Sequence, residues 1–103
     1  MATNPNITYY EVPHLKSVKD LLALAKDEAG DKIAYRYFVG KDVQNATYAE
    51  FYHRVMALGA ALDELGHLSS HIAMIGANSY DYITLYLTAL AGDGVFVPVD
   101  KEL

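Results

Sequence analysis

The chain has 103 residues, 52% hydrophobic and 20% charged, which fits one domain or part of one and excludes both intrinsic disorder and two independent domains. Thirteen acidic residues against eight basic ones leave a formal charge of −5, which works against phosphate backbones and anionic lipid, so nucleic acid is not an expected partner. With no cysteine there is no disulfide framework, thiolate nucleophile or cysteine metal site, and without an N-terminal apolar run of secretory type the expected location is cytoplasmic.

Residues 1–16 read as an irregular lead-in, because Pro5 and Pro13 lack backbone donors and no hydrophobic period is sustained. Ser17 followed by Asp20 has the form of a helix cap, and Val18, Leu21, Leu22, Ala25 and Ala29 recur at helical spacing until Gly30. From Ile33 to Val39 the residues Ile33, Tyr35, Tyr37 and Val39 alternate with Ala34, Arg36 and Phe38, which predicts a strand. Gly40-Lys41-Asp42 turns the chain, and a short return strand over Val43 to Ala46 completes a hairpin. Thr47-Tyr48-Ala49-Glu50 is a capping box that opens a second helix. Its stripe of Phe51, Val55, Leu58, Leu62 and Leu65 places five side chains on one face before Gly66. Ala57, Ala60 and Ala61 on its flanks predict close approach of another element, while Glu50, His53, Arg54, Asp63 and Glu64 mark the wet side.

Ile72-Ala73-Met74-Ile75 is an apolar run of strand length, followed by a helix from Tyr80 to Ala91 and a second apolar strand at Val95-Phe96-Val97. Strand, helix and strand at this spacing predict a right-handed parallel crossover in a sheet covered on both faces. The helix has its main stripe at Ile83, Tyr86, Leu87 and Leu90, but Tyr82, Leu85 and Ala89 carry apolar surface round the other side. That is more than one-sided burial requires. The expected fold is therefore α/β, a hairpin plus helices and a parallel βαβ unit, with residues 17–103 forming an incomplete portion of a larger domain.

Few residues carry chemistry. There is no glycine-rich phosphate loop and no three-glycine dinucleotide fingerprint. Gly92 and Gly94 sit where glycines end a helix and free the next turn. His14, His53, His67 and His71 lack metal-ligand spacing. Ser69-Ser70-His71 reads as a polar loop feeding a strand, since nucleophilic catalysis needs an orienting third group and an oxyanion hole. Asp27-Glu28 and Asp63-Glu64 are helical neighbours that point apart. Most of the nine tyrosines fall at core-compatible positions. The place with functional geometry is Gly76-Ala77-Asn78-Ser79-Tyr80, beyond the carboxyl end of a predicted parallel strand and before a helix. Asn78 is expected to cap that helix, with Asp81 near its positive end; the alternative is that Asn78, Ser79 and Tyr80 line a substrate site.

Several motifs in order resemble the start of the AMP-forming, adenylate-forming ligase superfamily. They are Thr47-Tyr48-Ala49-Glu50-Phe51, Arg54-Val55, Leu58-Gly59-Ala60-Ala61-Leu62, Leu65-Gly66, the run from Ile72 to Tyr80, and the run from Gly94 through Pro98 and Asp100 to Leu103. The last run and the Asn78-Ser79-Tyr80 turn are most similar to bacterial long-chain fatty-acid CoA ligases. The resemblance implies an N-terminal fragment of an acyl-CoA synthetase that activates a carboxylic acid with ATP and transfers it to coenzyme A. It implies ATP, Mg²⁺, coenzyme A and a fatty acid for the parent enzyme, and the rest of that enzyme as the fragment's partner. The family's phosphate loop, adenine contacts, magnesium-binding acid and catalytic lysine lie downstream of the position matching Leu103. No catalytic, cofactor-binding or metal-binding residue is assigned in this chain, and it is expected to be inactive alone and to self-associate. Ser69-Ser70 and Ala91-Gly92-Asp93-Gly94 depart from the pattern of many relatives. Two other readings stand beside this one: a free-standing, non-enzymatic α/β interaction module, and a small signalling domain phosphorylated on aspartate. The second lacks acids at the end of the Ile72 strand.

Overall fold

The computed structural model describes residues 14–100, folded as α1 (Val18–Ala29), β1 (Ile33–Val39), β2 (Asp42–Thr47), α2 (Tyr48–Glu64), β3 (His71–Ile75), α3 (Tyr80–Ala91) and β4 (Val95–Val99). The lead-in expected over residues 1–16 lies largely outside the described residues; His14, Leu15 and Lys16 have no regular structure. The α/β architecture matches the expectation, with an antiparallel β1–β2 hairpin and a separate parallel β3–β4 pair.

Local chemistry explains where the elements begin. Ser17 Oγ accepts the Asp20 amide at 3.1 Å and opens α1. Gly40, at φ +62°, supplies the left-handed residue of the two-residue loop between Val39 and Asp42. Thr47 Oγ1 accepts the Glu50 amide while Glu50 Oε1 accepts the Thr47 amide, both at 3.1 Å, so the capping box is complete.

The core is small and lies where α1, the hairpin, α2 and α3 meet. Leu22, Ala46, Phe51, Val55 and Tyr80 form its centre, with Tyr35, Tyr37, Met56, Ile83 and Leu87 packed round it. Two expectations about α2 are corrected here. The stripe is buried at Phe51 and Val55 but ends with Leu65 70% exposed. Ala57, Ala60 and Ala61 are exposed, and the close approach to α3 falls instead at Gly59, where an added Cβ would stand 3.7 Å from Thr88 Cγ2.

The face α3 buries overlaps only in part with the one its hydrophobic periodicity predicts: Ile83 and Leu87 pack against the core, but the most buried positions are others. Tyr80, Thr84, Thr88 and Ala89 are buried, whereas Tyr86 and Leu90 are each 37% exposed. The reason is that both threonines return their hydroxyls to the helix, Thr84 Oγ1 to the Tyr80 carbonyl at 2.7 Å and Thr88 Oγ1 to the Thr84 carbonyl at 2.6 Å. A hydroxyl satisfied within its own turn leaves a methyl for the neighbouring helix.

Strands β3 and β4 pair in register from His71 with Val95 to Ile75 with Val99. Tyr86 and Tyr82 of α3 meet Phe96 edge-on at 4.9 and 5.7 Å, which covers one face. Burial on both faces is not found among the described residues: Ile75, Val95 and Val97 are 61%, 49% and 40% exposed. Gly92 ends α3 as expected, yet neither it nor Gly94 uses positive φ. A Cβ at Gly94 would lie 2.9 Å from the Leu68 carbonyl oxygen and 3.0 Å from that of Ser70, so close backbone approach is what requires glycine there.

Candidate functional site

Strand β3 delivers its carboxyl end to residues 76–79, which turn into α3. This loop stands among three open clefts. Toward the ends of the parallel pair, Gly76, Ala77, Asn78, Tyr82, Pro98, Val99 and Asp100 line a space of about 470 Å³. Toward the hairpin, the loop faces Tyr37, Phe38 and Arg54 across about 490 Å³. Along α3, Tyr35, Asn78, Ser79, Tyr82, Ile83 and Tyr86 enclose about 380 Å³. Asn78 borders all three.

The cap expected at Asn78 is made by Ser79. Ser79 immediately precedes the first helical residue, has extended dihedrals of φ −159° and ψ 172°, and accepts the Tyr82 amide on its Oγ at 3.1 Å. That geometry belongs to the residue next to the helix, and Asn78 lies one position too early. Asn78 is left exposed at the junction of the clefts. Tyr80, grouped with it by sequence, is only 6% exposed and is mainly a core residue. Its ring lies 4.8 Å from Tyr37, 5.6 Å from Tyr35 and 6.0 Å from Phe51. The clefts therefore present Asn78 and Ser79 more openly than Tyr80.

Sequence reasoning missed Arg54 as part of this assembly. Placed with the wet side of α2, it is indeed exposed, yet its guanidinium stands 4.2 Å from the centre of the Tyr80 ring and pairs with Asp81. Its position beside Val55 of the buried stripe was the available signal, but nothing local names a partner 27 residues away. Burial pushes the Tyr80 phenol above its ordinary pKa, with the Arg54 cation acting the other way.

The remaining candidates are placed apart. His67 Nδ1 meets Ser70 Oγ at 3.3 Å, so the imidazole beside Ser70 is not the adjacent His71, and both His67 and His71 are exposed. Asp27 pairs with its neighbour Lys26 at 3.4 Å. Among the described residues no three of His, Asp and Glu gather as a metal site. No helix of the described residues is long and apolar enough to cross a membrane.

Residues 23–103 match the family described as AMP-binding enzyme. Among solved structures, the fold is similar to the fatty acid AMP ligase from Legionella pneumophila, with a TM-score of 0.72 and 19% identity over 82% of this chain and 15% of that one. It is also similar to CmiS6, with a TM-score of 0.69 and 20% identity over 89% of this chain and 23% of that one. The chain thus spans less than a quarter of the length of either. No curated protein matches it by sequence.

Proposed function

The chain belongs to the AMP-binding enzyme family, and from that premise we propose that it forms the N-terminal α/β portion of an ATP-dependent, adenylate-forming ligase. We assign the parent enzyme a long-chain fatty acid as substrate and coenzyme A as acceptor. In this reaction a carboxylate oxygen attacks the α-phosphorus of ATP and pyrophosphate leaves; the coenzyme A thiol then attacks the acyl carbonyl and AMP leaves.

The observation that carries the reading is the family match, which runs from within α1 through every later element. The fold likeness to a fatty acid AMP ligase supports it, as do the fatty-acid-ligase-like turn Asn78-Ser79-Tyr80 and the closing run of the sequence. Within this chain we assign substrate contact to Asn78 and Ser79, which border the clefts at the strand ends. Tyr80 supports them from the core. Magnesium bound with ATP would neutralise phosphate charge. Phosphate handling and proton transfer belong, on this reading, to polypeptide beyond these residues.

The test is ATP–pyrophosphate exchange by the protein encoded by the whole reading frame, followed by mass analysis for an acyl-CoA thioester. Exchange that requires a long-chain fatty acid, with thioester formed when coenzyme A is added, is the expected result. Exchange driven only by amino acids or aryl acids would remove the fatty-acid assignment, and adenylate without thioester would remove the acceptor. Residues 1–103 alone should give no exchange.

A further inference from the structure

Arg54 makes two contacts that meet at the entry to α3. Its guanidinium covers the ring of Tyr80, and its Nη2 pairs with Asp81 Oδ1. These partners are the first two residues of the helix, directly after Ser79. The same Tyr80 ring is seated against Tyr35 and Tyr37 of β1 and Phe51 of α2. Arg54 therefore closes a junction of hairpin, α2 and α3 at the point where the 76–79 loop ends. Among the described residues, no backbone hydrogen bond outside the helices and strands ties that loop to α2 or to the hairpin.

The energetics separate location from stability. The Arg54 and Asp81 side chains are 43% and 78% exposed, and ion pairs in that setting contribute little to the folding equilibrium. Their direction still matters, because a planar guanidinium stacked on a ring and paired at its edge holds one orientation. We propose that Arg54 is a positioning residue, fixing where the 76–79 loop presents Asn78 and Ser79 to the carboxylic acid. This rests on the reading of that loop as substrate-lining in an acid-activating enzyme.

The experiment compares the whole enzyme with its Arg54→Ala and Arg54→Lys variants. It measures steady-state exchange kinetics, thermal unfolding, and amide hydrogen exchange across residues 76–83. Arg54→Ala should raise the KM for the acid about tenfold, because a displaced loop loses contacts made equally in the ground and transition states, and such a loss appears in KM. kcat, the KM for ATP and the unfolding midpoint should stay near wild type, and amides 76–83 should exchange faster. Arg54→Lys keeps the charge but loses the planar fork, so it should recover part of the effect. An unchanged acid KM, or a fall in kcat accompanied by a lower midpoint, would overturn the proposal. A wild-type enzyme without acid-dependent exchange would overturn the functional reading instead. In that event, unaltered amide exchange at 76–83 in Arg54→Ala would separately refute the role of Arg54 in holding the loop.

Discussion

Desolvation among Tyr35, Tyr37 and Phe51 raises the Tyr80 pKa above 10.0 in the folded chain, and the nearby Arg54 offsets only part of that rise. The neutral phenol is thus favoured by folding. Its contribution is fully present below the unfolded pKa of about 10 and is lost as pH climbs from there through the folded value, because the unfolded chain then releases a proton that the folded chain retains. Tyr80→Phe has no such proton. Following unfolding midpoints of both proteins from about pH 8 to about pH 11 should show the difference moving in favour of phenylalanine above about pH 10; a constant difference would refute the shift. The core role of Tyr80 was within reach of a reading of aromatic residues at structural spacing. The burial of Thr84 and Thr88 was not, because hydropathy scores the hydroxyl as if water satisfied it, whereas the preceding turn of α3 does.

Elements defined by backbone chemistry were legible in the residues themselves. Thr47 and Glu50 fix the start of α2 by two mutual bonds, alternation fixes β1, and Gly92 closes α3. Contacts between elements were much less so: no short window can tell that Gly59 meets Thr88, or that the chain entering β4 passes the Leu68 and Ser70 carbonyls at Gly94. These two glycines should respond oppositely to one methyl group. At Gly59 the Cβ would sit at an ordinary 3.7 Å from a methyl, so Gly59→Ala should gain about 0.5–1 kcal/mol from the reduced entropy of the unfolded helix. At Gly94 the Cβ would press on two carbonyl oxygens of the backbone, and Gly94→Ala should lose about 1–3 kcal/mol. Denaturant unfolding of the two variants measures both; a neutral Gly94→Ala would mean that the 68–70 segment yields easily.

At the scale of the whole molecule, the apolar surface exceeds what the described elements cover. Parallel strands are normally shielded on both sides, yet Ile75, Val95 and Val97 remain substantially exposed. A second apolar space of about 590 Å³ opens among α1, β1, α2 and α3, bordered by Leu21, Leu22, Phe51, Ile83 and Leu87. The sequence pattern foretold such excess through apolar residues all round α3; of the stripe it assigned to burial, Ile83 and Leu87 pack against the core while Tyr86 and Leu90 stay partly exposed. In isolation, residues 1–103 should bury this surface against a second copy, since exposed apolar patches and the two outer edges of a two-stranded sheet both favour association. Sedimentation equilibrium should therefore give an apparent mass that rises with concentration. Ile75→Lys with Val97→Lys, which place charge on exposed β3 and β4 positions, should shift it toward the monomer. A monomer at every concentration in the unaltered chain would show that the exposed sheet and groove do not drive association, and an unchanged mass in the double variant would move the contact away from β3 and β4.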